Sequence, residues 1–242
     1  LTALKKLKSL TTSITTLAIF SIAFFGCKKE QIEIPALPEV IVAETSAVYT
    51  LRFEGNWNLA NQPQEYPVNA HFSALVGLVH NSRTEVIRLD RIASPGIKNM
   101  AQSGITSPLS IELGNVISNG DGATLIVADN GLATGIESWT GQFSVNTTHH
   151  LISLVSMLAP SPDWFVGISN VDLYDGTRFL DKLTLDMTVY DAGTDSGNSF
   201  TSSDSLTSPA VYVFKLLDSP IGNGTEVSKP FARIILTKEL KD

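Results

Sequence analysis

Alternation of apolar and polar residues dominates the chain from residue 48 onward. In residues 48–54 (VYTLRFE), Tyr49, Leu51 and Phe53 fall on one face at a period of two, as a half-buried strand requires. Residues 73–80 read as a second strand, broken by Gly77. Further strand-length runs occupy 123–128, 142–146, 151–158, 164–169, 183–190, 211–216 and 231–236, with turn residues between them. Helical signals are few. Residues 94–104 (SPGIKNMAQSG) place Ser94 at an N-cap, Pro95 at the first helical position and Gly104 at the stop, which predicts a short helix. Residues 109–117 fit a helix or a strand, and the NGDG at 119–122 is a turn. The polar stretch 201–208 (TSSDSLTS) reads as a surface loop, and there is no internal repeat. Many short strands with one or two short helices predict an all-β fold, an antiparallel β-sandwich.

Two tight loops stand out against this pattern. The run 151–158 (LISLVSML) drives into Pro160-Ser161-Pro162, where neither a central strand nor a helix can continue. Asp163 follows at once, and then Trp164, Phe165 and Val166. The second loop, 191–197 (DAGTDSG), offers Asp191 and Asp195 with Gly193 and Gly197 beside them. Calcium takes six to eight oxygen ligands, from carboxylates, carbonyls and water. The three aspartates supply carboxylates, and the glycines let backbone carbonyls approach. From spacing alone, a hard-cation site and a set of turn-forming aspartates are equally good readings. Asp172 and Asp175 lie close in sequence but outside both loops.

These segments carry a resemblance. PSPDWFVG and DAGTDSG, in this order and spacing, resemble the signature segments of the spondin N-terminal domain, the F-spondin and mindin family. Residues 49–57 (YTLRFEGNW), Tyr66-Pro67, 71–80 (HFSALVGLVH) and 93–101 (ASPGIKNMA) fit as well, so that the likeness runs from about residue 49 to 237. The resemblance implies a C2-like β-sandwich with calcium in loops at one end. It tips the balance toward Asp163, Asp191 and Asp195 as ligands of one calcium ion. It also implies a non-catalytic module for adhesion, or for binding a protein or glycan at a cell surface or in a matrix.

Composition narrows the setting. An apolar fraction of 43 % over 242 residues supports a sizeable core. The net charge is −7, with no basic cluster beyond the N-terminus, which argues against a nucleic-acid partner. Residues 1–27 have the layout of a lipoprotein signal peptide: Lys5, Lys6 and Lys8, then an apolar stretch at 14–25, then Gly26-Cys27. Cys27 is the one cysteine in the chain and stands where a lipid would be attached. Residues 28–47, with Pro35 and Pro38, read as a flexible tether. A coil of this length spans about 25 Å. The expected arrangement is a bacterial lipoprotein held to the outer membrane, on its periplasmic or surface face, with residues 48–242 as the domain.

Other chemistries have weaker support. No nucleophile elbow and no phosphate-binding glycine loop occurs. His149-His150 lacks zinc spacing. A hydrolase built on the loop carboxylates is one alternative, although Asp191 and Asp195 share one loop instead of facing each other across a cleft. A polysaccharide-binding sandwich is another, and it requires Trp57, Trp139 and Trp164 on an open face.

Overall fold

The computed structural model describes residues 43–240. The expected signal peptide at 1–27 with Cys27, and the tether up to residue 42, lie outside the described residues. The strands are β1 (Ser46–Gly55), β2 (His71–Phe72), β3 (Val76–His80), β4 (Gly122–Val127), β5 (Ser138–Asn146), β6 (Leu151–Ala159), β7 (Trp164–Asp172), β8 (Lys182–Asp186), β9 (Thr188–Asp191), β10 (Phe214–Lys215) and β11 (Ala232–Lys238). The helices are α1 (Pro95–Ser103) and α2 (Leu109–Ser118). One sheet runs β5-β1-β11-β8 and the other β10-β9-β7-β6-β3-β4, with β2 paired to β6. The pairings between strands are antiparallel, and the fold is an all-β sandwich as expected.

Two cores follow from the pleat. Tyr49, Leu51 and Phe53 of β1 point inward with Ile234 and Leu236 of β11, against Val79, Ile152, Leu154 and Val166 of the other sheet. Alternate residues of the larger sheet, among them Val76, Leu78, Val155 and Phe165, build a second core with Ile97, Met100, Leu109 and Leu113 of the helices. The larger sheet is therefore covered on both faces along its middle. This accounts for the nearly unbroken apolar sequence of β6, since both faces of that strand must avoid water.

Helix α1 ends as its sequence predicts. Ser94 Oγ accepts from Ile97 N, and Gly104 adopts φ 67° while its N–H reaches Met100 O. Residues 109–117 resolve as helix. Glu112 accepts from Ser94 Oγ at 2.6 Å and from Gly96 N at 2.8 Å, so α2 braces the start of α1.

Several expectations need correction. Strand β1 begins at Ser46, within the expected tether, and Ala47 is already buried. Gly77 does not break a strand: it lies inside β3, pressed against Ser153 O and the Leu154 side chain. The run at 211–216 contributes only Phe214–Lys215 as strand. The run at 183–190 is two strands in different sheets. β8 pairs with β11, whereas β9, one residue later, pairs with β7. Met187 makes the crossing and is buried between the layers.

Candidate metal centre

The turn after β6 and the loop after β9 meet at one end of the sandwich, and backbone donors fix them to each other. Ser161 Oγ accepts from Trp164 N at 3.1 Å, which closes the proline turn. Ala192 N donates to Asp163 O at 3.1 Å. Asp163 is fully buried, and its Oδ2 accepts three bonds: Thr194 N at 2.6 Å, Thr194 Oγ1 at 2.8 Å and Asp195 N at 2.9 Å. Its other oxygen, Oδ1, is buried with no hydrogen-bond partner.

The remaining aspartates are held by the same loop. Asp191 Oδ2 accepts from the Trp164 indole at 3.1 Å, and Oδ1 from Gly193 N at 2.7 Å. Asp195 Oδ1 accepts from Gly197 N, and Oδ2 from Ser205 N in the following segment, both at 2.8 Å. Glycine is required at two positions. Gly193 has φ 71°, and a Cβ there would lie 2.4 Å from Val211 O. At Gly197 a Cβ would lie 2.6 Å from the Pro162 ring.

Burial shapes the electrostatics. It pushes the Asp163 carboxyl above the usual carboxylate range, against three hydrogen bonds that favour the charged form. Burial first, and the Asp163 charge second, push Asp191 up to about 7. The three carboxylates thus share one neighbourhood: the Asp195 charge works against ionisation of Asp163, and the Asp163 and Asp195 charges work against ionisation of Asp191. They are not closed into a cage: among the described residues, no group of three or more His, Cys, Asp or Glu side chains is arranged to hold a metal. Their donor chemistry fits a hard cation at one atom above all, the unpartnered Asp163 Oδ1. Each carboxylate oxygen of Asp191 and Asp195 keeps a second lone pair.

Asp195 alone of the three lines an open groove of about 340 Å³, with Gln102, Ser103, Pro162, Asp204 and Leu206. Asp172 and Asp175 stand apart. Asp172, at the other end of β7, takes the His150 ring at 2.6 Å, and Asp175 caps the turn at Thr177 and Arg178. Asp172 lies eight residues along β7 from Trp164, about 26 Å at the usual rise. The tryptophans form no open stacking face. Trp57 and Trp164 are buried among Phe72, Phe200 and Phe231, and Trp139 donates its indole N–H to Asp129 at 2.8 Å. This removes the observation on which the polysaccharide reading depended. His149 and His150 make loop contacts, to Gly120 O and Asp172.

The sequence reading overlooked Thr194, which supplies two of the three donors to Asp163. The signal was present: a threonine set directly before Asp195 in the loop that must face Asp163.

Comparison with known proteins gives concordant results. The family model described as Spondin_N matches residues 47–229. Human Spondin-2 is 32% identical over 180 residues, covering 73% of this chain and 54% of that protein. Rat Spondin-2 is 32% identical over 208 residues, covering 84% and 62%. Rat Spondin-1 is 34% identical over 188 residues, covering 72% and 23%. The chain therefore spans between about a quarter and three-fifths of the length of these relatives.

Proposed function

The chain belongs to the Spondin_N family, and from that premise we propose that its sandwich is a calcium-stabilised, non-catalytic module that acts outside the cytoplasm in adhesion or in binding a surface protein or glycan. The observation that carries the metal reading is Asp163 Oδ1, a buried carboxylate oxygen without a donor beside two further acidic side chains. An oxygen in that position costs stability until a cation or proton meets it. In this reading Asp163 gives Oδ1, and Asp191 and Asp195 give their second lone pairs. Calcium, when bound, supplies the positive charge that lets all three remain ionised. Thr194, Gly193 and Gly197 orient the carboxylates through backbone donors and hold the loop close to the proline turn. The site then works as a clasp between the loops after β6 and β9.

The test is thermal unfolding of residues 43–242 with calcium and then with excess chelator. A ligand that binds only the folded state stabilises it by about 2.7 kcal/mol at a hundredfold excess over Kd. A calcium-dependent rise in Tm that shrinks in Asp195→Asn and vanishes in Asp163→Asn supports the reading. A melting temperature indifferent to calcium, in protein first stripped of metal, would leave the aspartates as turn formers.

Membrane attachment through Cys27 rests on the sequence pattern alone. Metabolic labelling with an alkyne fatty acid tests it: label on the parent and none on Cys27→Ser is the expected outcome.

A further inference from the structure

The helices and the segment before them do not close completely over the larger sheet. Residues 81–94 belong to no helix and to none of the strands, yet Val86 and Ile87 from this segment are buried in the helix-side core. Helix α1 meets α2 closely at one point, where a Cβ on Gly96 would lie 2.5 Å from Leu109 Cα. Beside that contact the layers part around a cavity of about 190 Å³. Val86, Ile97, Leu109, Leu113, Phe165 and Val213 form its apolar walls, and all six are buried.

One ionic group is fixed in this apolar surround. Glu112 lines the cavity and is half-buried. Its Oε1 accepts from Gly96 N at 2.8 Å and its Oε2 from Ser94 Oγ at 2.6 Å, which holds the carboxylate in place. Both donors are neutral, and each oxygen keeps a second lone pair. Among the described residues, no Lys, Arg or His is ion-paired with Glu112. Glu85 and Arg88 also line the cavity, but both are exposed and their charges are opposite. The fixed charge that remains is that of Glu112. A single carboxylate between apolar walls suits a metal poorly, since calcium takes six to eight oxygens. It suits an organic cation, whose charged head needs one carboxylate and whose body needs the walls.

We propose that this cavity binds a small primary amine, with its ammonium on Glu112 and an apolar body of about one ring against Leu109, Leu113 and Phe165. The size agrees. An apolar cavity of about 150 Å³ holds benzene, and 190 Å³ leaves room for a short arm to the ammonium. Because Glu112 is pinned before binding, little is lost in ordering it. The apolar walls keep out water that would weaken the pair. Asp163, Asp191 and Asp195 do not line the cavity, so the site stands apart from the metal reading.

The experiment uses the full chain and three probes of similar shape near neutral pH: 2-phenylethylamine, 2-phenylethanol and 3-phenylpropionate. Titration calorimetry reads affinity, and hydrogen–deuterium exchange reads location. The amine is expected to bind with a Kd below about 1 mM and to slow exchange in residues 84–97 and 109–116. The alcohol and the carboxylate are expected to bind at least about tenfold more weakly, a difference of about 1.4 kcal/mol. Glu112→Gln keeps an oxygen for Gly96 N and should bind the amine no better than the alcohol. Val116→Phe adds bulk at a half-buried position of the cavity wall and leaves Glu112 in place; it should weaken the amine at least about tenfold, and it decides the matter if Glu112→Gln does not fold. No binding of the amine by about 1 mM, an alcohol as tight as the amine, protection elsewhere, an amine preference that survives Glu112→Gln, or unchanged affinity in Val116→Phe would overturn the proposal. Tighter binding of the carboxylate would also overturn it, and would assign recognition to Arg88.

Discussion

Replacing Asp163 by alanine and by asparagine separates the two roles assigned to its oxygens. Oδ2 anchors Thr194 N, Thr194 Oγ1 and Asp195 N. Asp163→Ala strands two buried N–H groups and a hydroxyl. The hydroxyl can rotate to another acceptor, but the N–H groups cannot. An unsatisfied buried donor costs about 1–3 kcal/mol, so the loss is about 2–6 kcal/mol, partly offset by removing a buried charge. For a domain of this size each kcal/mol moves Tm by about 2–4 °C. Asp163→Asn is different. Its amide oxygen can keep all three donors at the Oδ2 position, and its NH2 takes the place of the unpartnered Oδ1. The Asp163 charge, which adds to burial in pushing Asp191 up, is removed. Without metal, then, the asparagine variant should melt within about 2–4 °C of the parent, a change of at most about 1 kcal/mol. In saturating calcium the parent should rise by about 5–10 °C and the asparagine variant should not. Differential scanning calorimetry in chelator, and then in calcium, reads both effects. If the asparagine variant kept the full calcium shift, Oδ1 would not be a ligand. If it fell as far as alanine without metal, the charge itself, and not the acceptor geometry, would hold the loop.

Three further outcomes are expected. Ser153→Ala removes the hydroxyl that bonds His80 Nε2 at 2.9 Å and accepts from Asn170 N, inside a fully buried pair; a loss of about 2–4 kcal/mol in denaturant unfolding is expected, and a loss under about 0.5 kcal/mol would refute that role. His80 is held below the ordinary histidine range, chiefly by burial. The unfolded chain therefore takes up this proton first as pH falls, and stability drops below about pH 6.5; parent and His80→Gln, melted at pH 7.5 and pH 5, should differ in this acid loss, and identical profiles would count against it. Gly193→Ala meets both the positive φ and Val211 O at 2.4 Å, so it should cost about 2 kcal/mol or more, and an unchanged Tm would show that the loop can shift.

Local chemistry was enough for much of this molecule. Period-two alternation marked β1 and its inward face. Ser94, Pro95 and Gly104 marked both ends of α1, because a cap is satisfied within a few residues of itself. The proline turn and the DAGTDSG loop were recognisable as a pair, and the family could be read from them. What the alternation does not contain is which sheet a strand joins. Residues 183–190 look like one strand, yet they serve two sheets, since Leu183 and Leu185 pack inward from one layer and Val189 from the other. The break at Met187 depends on which partner offers the better-packed edge, and that partner is about fifty residues downstream for β8 and about twenty upstream for β9. The same holds at the acidic loops. Their composition showed three carboxylates, but only the folded chain decided that Asp163 would be sealed with one oxygen satisfied and the other bare. The physical reason is common to both cases. Capping and alternation are settled by neighbours in sequence, whereas pairing and desolvation are settled by distant groups that meet only when the layers close.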